Sequence, residues 1–532
     1  MFCLLFDVFI SRFLTDHVAN FFVNGSLIVK LLIEKWVKTD CNYSVLGDEE
    51  PGEEMEDDGD GPVRKVQRSK LIFKRPSFEI RIFVKYTFWP VTEKISAAAM
   101  SVCVGGFHEP GDVGGLAHFC EHMLFMGSEK YPDENEFTAF VSKHSGSDNA
   151  QTDNHVTVYA FDISPSKFEQ GKGRVCLEKF WITKSTWRKA LDMWAQFFIS
   201  PLMKSDSVDR EMEAVDSEFN NFKAGDDARK MQIVIECLVK EGHPMANFML
   251  GNLKSLKENL PEGITAYEEL HKWYPKNYSS RWMNLVVQSP HTLDELERIV
   301  RDKFVAIPHR DLTKPENEPD YSIRGYHRNL SKLFRYLPLS EHNEIDIVFT
   351  LPPQKKNYHT KPCHYLGWLI GVVDVLPFLI EIFTWNFIKI IFYDIYQPTK
   401  GHEGKGSIMS LLKRKDWAHE IYAGNSGQGH EDNGYFTDFS MNLRLTDSGL
   451  ENWNEIMEII FQYIKLLKEM PESEEKRIYD EIERIEQLNW LSQEEKSSYD
   501  NVEETAESMM LYETEEKGRY KISEFENWFL AW

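Results

Sequence analysis

The 532-residue chain has no CxxC pair, and its seven cysteines (Cys3, Cys41, Cys103, Cys120, Cys176, Cys237 and Cys363) are odd in number and widely scattered. That pattern does not make a disulfide framework, and a reducing, cytoplasmic location is expected. Basic residues are also scarce. Lys and Arg number 61 against 85 Asp and Glu, a formal net charge of −24. Neutralising phosphate takes a basic surface, so nucleic acid is not an expected partner. The acidic balance suits cationic peptides, although an acidic protein with no cationic ligand fits the charge equally well. The opening "MFCLLFDVFISRFLTDHVANFFV" is apolar but lacks a basic start and a clean cleavage site, and Asp7 interrupts it. A secretory leader is therefore not expected. Nor is a membrane span. The longest apolar run, 372–396, contains Asp374, Glu381, Lys389, Asp394 and Pro377, and a charge near a span's centre costs about 2.5–3.5 kcal/mol.

What is present divides the chain. Residues 1–65 form a divergent N-terminal region containing the acidic run "GDEEPGEEMEDDGDG" at 47–61. Such a run has almost nothing to bury and reads as solvated and disordered, a linker or a tether for basic protein partners. From residue 95 strand-like and helix-like pieces alternate. "AAAMSVCVGG", "HVTVYAFDI" and "SSRWMNLVVQS" read as strands, and "GGLAHFCEHMLFMG", "RKALDMWAQFFISP" and "TLDELERIVRDKF" as helices. The polar stretch "HRDLTKPENEPDYS" places an interdomain linker at 311–325. Beyond it the strands "EIDIVFTLP" and "YFTDFSMNLRLT" and the helix "NWNEIMEIIFQYIKLLKEM" predict a second domain over 326–532. No short-period repeat is visible. The fold class expected is α+β.

The chemistry concentrates in His118-Phe-Cys-Glu121-His122. On a helix, residues at i and i+4 project from one face, so both imidazoles can reach one Zn2+ through nitrogen. Glu121 lies on nearly the same face, placed to take a proton without being a ligand. This is HExxH inverted, HxxEH. The competing reading is a helix with an ordinary charged face. Against it, Leu116, Ala117, Phe119, Met123, Leu124, Phe125 and Met126 surround the triplet. A helix apolar nearly all round is buried, and buried His and Glu need partners. A catalytic zinc takes a third protein ligand and leaves one position open. "DREMEAVDSEFNNF" supplies the candidate. Glu211 and Glu218 are two helical turns apart and share a face with Val215 and Phe222. Glu218 is assigned as the third ligand and Glu211 as a supporting carboxylate. Alone, that helix would more often be a solvated charged one; paired with HxxEH the balance reverses.

Taken together these residues resemble the insulinase (pitrilysin-like) family of zinc metallopeptidases. The resemblance rests on "GGLAHFCEHMLFMGSEKYPDENEF", "KHSGSDNAQTDNHVTVYAFDI", "ALDMWAQFFISPLM", "DREMEAVDSEF", "GHPMANFMLGN" and "GHEGKGSIMSLLK", in order from about residue 95 to 512. It implies a half-chamber of two similar domains, each a mostly antiparallel sheet packed with helices, with one Zn2+ in the domain over 66–310. By motif position it makes His118, His122 and Glu218 the metal ligands, Glu121 the general base and Glu211 its supporting carboxylate. It also implies a cleft lined by Asp148, Asn149, Ala150 and Asp153, where a peptide joins the sheet as an added strand. Gly401, His402 and Gly404 would hold the substrate's N-terminal part. Family members with an acidic insertion cut at dibasic sites, and Asp148 and Asp153 would suit a cationic side chain. Turn-forming is the commoner role of such residues.

The sequence also departs from the family. The opening strand is not recognisable, and "SFEIRIFVKYTFWP" at 77–90 stands roughly in its place. Segments within 171–187 and about 371–400 have no counterpart and read as translated intron, a reading the first forty residues share. The family's C-terminal half, with the Arg and Tyr that help bind substrate, is not matched. A zinc-dependent endopeptidase acting on basic peptides is the expected function. A noncatalytic fragment that binds peptides or proteins is the alternative.

Overall fold

The structure, a computed structural model, describes residues 67–72, 81–87, 95–164, 177–239, 242–310, 333–354, 357, 360–371, 399–400, 407–425, 435–492 and 496–511. The acidic run, the linker at 311–325 and nearly all of 371–400 lie outside them.

Strands β1 (Gln67–Ile72), β2 (Arg81–Thr87), β3 (Ser96–Val102), β4 (Asp148–Thr152), β5 (Thr157–Ile163) and β6 (Met283–Ser289) form one sheet in the order β1-β2-β6-β3-β5-β4. Every neighbouring pair is antiparallel except β2 with β6. The stretch standing where the family's opening strand belongs therefore contributes β2, beside β6.

The centre of this sheet is covered on both sides, and its sequence explains how. Side chains alternate across a strand. On one face Ala98, Met100 and Val102 join Tyr159, Phe161, Leu285 and Val287 in the main core. That core is completed by helices α1 (Leu116–Leu124), α2 (Glu136–Lys143), α3 (Leu177–Ile199), α4 (Val208–Lys223), α6 (Ala266–Asn277) and α7 (Leu293–Phe304), with α5 (Asp226–Leu238) following α4. α3 carries the largest fully buried side chains, Trp187 and Trp194, and ends at the residue pair Ser200–Pro201. Trp187 belongs to the segment without a family counterpart, and residues 177–187 are turns of α3. α7 starts with a reciprocal cap in which Thr292 and Glu295 each accept the other's backbone N–H, and it buries Leu296, Val300 and Phe304.

A second, four-stranded antiparallel sheet holds β7 (Asn343–Leu351), β8 (Thr399–Lys400), β9 (Ala418–Gly424) and β10 (Thr437–Leu445) in the order β7-β10-β9-β8. Its core includes α8 (Pro362–Gly371), α9 (Ile408–Arg414), α10 (Trp453–Lys468) and α11 (Glu472–Ser492). α10 turns Ile456, Ile460, Ile464 and Leu467 inward, one helical stripe. The architecture is α+β, with helices packed on two mostly antiparallel sheets.

The last described helix, α12 (Ser498–Leu511), crosses the boundary that the linker suggests. It packs on the outer face of the first sheet, where Val502, Ala506 and Met509 meet Ala97, Ala99, Ala160 and Val286. Small residues on this face let the helix approach closely. Ser101 Oγ donates to the carbonyl of Ala506 at 2.7 Å, and Gln288 Nε2 to Ser498 Oγ at 3.1 Å. The outer face of the first sheet is thus closed by a helix that follows the second sheet in the chain. Val502→Asp would place a carboxylate in this contact. It should lower the unfolding free energy by about 3 kcal/mol or more, read from urea unfolding of the metal-free chain.

Candidate metal centre

α1 buries His118 and Glu121 together with Leu116, Ala117, Phe119, Cys120, Met123 and Leu124. Burial on nearly all sides is what the apolar surroundings of the motif predict. It also pushes the Cys120 thiol far above its usual range, which leaves it no thiolate character.

The two imidazoles turn toward one carboxylate. His118 Nε2 lies 3.3 Å and His122 Nε2 3.4 Å from Glu218 Oε2. The ligating atoms of His118, His122 and Glu218 all fall within 4.8 Å of one another. Each ring is fixed from behind through its other nitrogen. His118 Nδ1 is 2.6 Å from the Leu250 carbonyl, which can only accept, so Nδ1 carries a proton and Nε2 is the nitrogen left to face Glu218, where it could bind a metal on losing its own proton. His122 Nδ1 lies 3.5 Å from Glu211 Oε2. This is the outer arrangement that orients histidine ligands around a divalent metal. Glu218 is more than half exposed, at 54 %, while Glu211 is buried. The site therefore opens on the Glu218 side.

Electrostatics match the geometry. Burial works to lower the pKa of both imidazoles, but the carboxylates outweigh it. Glu218 and Glu121 raise His118, and Glu211 and Glu218 raise His122 to about 9. Hydrogen bonding to the two rings holds Glu218 far below the usual carboxylate range. Two nitrogens and a carboxylate oxygen that attract positive charge this strongly fit a divalent cation of zinc's ligand preference. Burial raises the pKa of Glu121, against the pull of His118, Thr152 and His122. Its Oε2 accepts the hydroxyl of Thr152 at 2.5 Å. This carboxylate is held beside the group of His118, His122 and Glu218 rather than within it.

Two glycines make the Leu250 contact possible. Gly115 and Gly251 both have left-handed backbone, φ +85° and +80°, and a Cβ on Gly115 would lie 2.2 Å from Gly251 Cα. Back to back, they let the 250–253 loop reach α1, and Asp216 of α4 accepts the Leu253 N–H at 3.0 Å. The front of α1 is finished by Glu109, whose carboxylate accepts the N–H groups of Gly115 at 2.9 Å and Ala117 at 2.8 Å. These are first-turn donors that the helix itself leaves unpaired.

The cleft residues are placed unevenly. Asp148, Asn149 and Ala150 lie on β4, the terminal strand of the sheet, with Asn149 exposed and Asp148 and Ala150 half-buried. Asp148 Oδ2 accepts from Thr138 at 2.7 Å, and Asp153 Oδ1 accepts from the Asn154 N–H at 2.6 Å. Each aspartate thus spends one oxygen locally, and Asp153 does so in a turn. Gly401, His402 and Gly404 lie outside the described residues. Phe222, expected to share the buried face of α4 with Val215, is 47 % exposed. It stands in the last turn, beyond the core that buries Val215. Thr152, Glu109, Asp216 and the Leu250 carbonyl escape the sequence reading. Period-two alternation from Asp148 through Ala150 would have put Thr152 on the Glu121 side. A backbone carbonyl has no signature beyond the glycine that permits it.

Burial pushes the Glu109 carboxyl up to about 8, against its two amide donors. An acid whose folded pKa is raised binds its proton in the native state where the unfolded chain has released it. Stability then falls as pH rises from about 4.5 toward 8. Glu109→Gln should flatten this decline, measured as the unfolding midpoint of the metal-free chain between pH 5 and 8. An equal decline in both proteins would assign it elsewhere.

Residues 90–243 match the family model described as Insulinase (Peptidase family M16), and 265–479 the model described as Peptidase M16 inactive domain. Nardilysin from Rattus norvegicus is 40 % identical over 422 residues, which cover 79 % of this chain and 32 % of that protein. Insulin-degrading enzyme from Drosophila melanogaster is 32 % identical over 426 residues, covering 79 % and 37 %. The chain spans about a third of the length of these curated relatives. Among solved structures, pitrilysin aligns with a TM-score of 0.66 at 21 % identity, covering 87 % of this chain and 42 % of that one. A protease from Helicobacter pylori aligns with 0.57 at 14 %, covering 88 % and 93 %. These two likenesses speak for the fold. With both family models matched in order and nardilysin 40 % identical over 79 % of this chain, the chain belongs to the insulinase family of peptidases, family M16.

Proposed function

We propose that the chain is a zinc-dependent endopeptidase, with one Zn2+ held by His118, His122 and Glu218, and with basic peptides as substrates. The observation that carries this reading is the convergence of two Nε2 atoms and one carboxylate oxygen beside a buried, hydrogen-bonded glutamate.

Bound there, zinc would supply Lewis acidity, lowering the pKa of water and polarising a peptide carbonyl. The protein's own groups do the rest. Glu121 takes the proton of the attacking water and delivers it to the departing amine. Its elevated pKa favours holding that proton between the two steps. Thr152 keeps the carboxylate pointed at the ligands, and Glu211 and the Leu250 carbonyl keep the two rings from turning. The edge of β4 supports the reading that a peptide enters as an added strand, since its residue Thr152 touches the base. The net charge of −24 supports basic substrates. A cation at Asp148 or Asp153 would use the oxygen that each does not spend locally.

Cleavage of a quenched dibasic peptide by the purified chain tests the reading. Glu121→Gln should still bind Zn2+ but lose at least about a hundred-fold in rate, and a chelator should abolish cleavage until zinc is restored. A zinc-loaded, folded chain that binds the peptide without cutting it would instead identify a peptide-binding protein.

A further inference from the structure

His118 and His122 stand on α1 and Glu218 on α4, and the two helices are far apart in sequence. Something must hold them at the separation that one metal ion requires. The segment leaving α1 and the segment entering α4 run side by side. Leu202 N–H donates to the Gly127 carbonyl and Glu129 N–H to the Ser200 carbonyl, both at 3.0 Å, around an antiparallel bridge between Ser128 and Pro201. Lys204 Nζ donates to the Pro132 carbonyl at 2.5 Å. The backbone here is unusual. Gly127, Asn135 and Met203 all have left-handed φ, +92°, +59° and +44°, and Met203 carries a side chain that disfavours it. Surrounding contacts must offset that strain.

Glu134 ties this clasp to the site. One of its oxygens accepts the Ser207 hydroxyl at 2.5 Å, and the other accepts Arg210 Nη2 at 2.6 Å. Arg210 Nε lies 3.4 Å from Glu211 Oε1, and Glu211 Oε2 lies 3.5 Å from His122 Nδ1. The guanidinium also rests on Met126 Sδ at 3.7 Å. Contacts thus run unbroken from Glu134 through Arg210 and Glu211 to a ligand ring.

We propose that Glu134 and Arg210 are positioning residues of the metal centre, setting the placement of α4 and Glu211 against α1. The proposal rests on the metal-binding reading of the site. The competing account is an ordinary surface ion pair, since Arg210 is 55 % exposed. Such a pair contributes little to stability. The two accounts therefore separate on metal affinity, not on folding.

The test uses the full, metal-stripped chain, with Zn2+ titrated in competition with a chromophoric chelator and the metal-free thermal midpoint recorded alongside. Arg210→Met and Glu134→Gln should each weaken zinc binding about ten-fold or more while moving the midpoint by no more than about 2 °C. The double variant should bind no more weakly than Arg210→Met alone, because both residues act through one line of contacts. Arg210→Lys, which keeps the charge but not the planar fork, should fall in between. Unchanged affinity in both single variants would overturn the proposal, as would losses that add or that track a falling midpoint. Should Arg210→Met not fold, Glu134→Gln and Arg210→Lys decide by the same criteria. Parent protein that binds no zinc, or Glu218→Gln that binds it as tightly as the parent, would overturn the metal-centre reading itself and the proposal with it.

Discussion

Two imidazoles that face one carboxylate oxygen from 3.3 and 3.4 Å set the terms for everything around them. Each ring must present Nε2 and cannot rotate. That requirement fixes an acceptor behind each Nδ1, the Leu250 carbonyl for His118 and Glu211 for His122. The acceptors impose demands in turn. Leu250 arrives only because Gly115 and Gly251 pack without side chains between them. Glu211 is buried and needs the first turn of α4 to be held against α1. The placement of two rings against one carboxylate therefore reaches into a glycine contact, a loop register and the start of a helix.

The sequence shows the half of this that lies on helices. His118, Glu121 and His122 are legible because i, i+3 and i+4 put three side chains on one face. Glu211 and Glu218 are legible because a two-turn spacing does the same. What holds them is less legible, for physical reasons. The Leu250 acceptor is backbone, and backbone chemistry is the same at every residue. Glu109 caps α1 from a preceding loop, while caps are usually sought at the residue flanking the helix. Thr152 acts across the sheet, and Arg210 across a loop pair, through contacts that local spacing does not encode. Phe222 fails in the opposite direction. Its periodicity is correct, but α4 runs past the core that would have buried it.

The fold divides along similar lines. Strands such as β3 and β6 do not alternate between apolar and polar as a half-solvated strand would, and every residue of both is buried. The inner face meets helices near in sequence. The outer face, built from Ala97, Ala99, Ala160 and Val286, waits for α12, which arrives only after the whole second sheet. Nothing within "SYDNVEETAESMML" names that sheet as its partner. Its acidic surface reads as solvated, and only Val502, Ala506 and Met509 supply a stripe.

That arrangement has a consequence for the site. Glu121 is held by Thr152 of β4, β4 pairs with β5, and β5 pairs with β3. α12 lies across β3 and β5, bonded to Ser101 of the first and packed on Ala160 of the second. Glu121, the proposed general base, is thus supported by a strand whose neighbours are packed by a helix from beyond the second sheet. The domain expected over 66–310 contains His118, His122 and Glu218 but not the helix that covers the outer face of its sheet. The described contacts behind the proposed centre therefore extend past the second sheet in sequence, to α12.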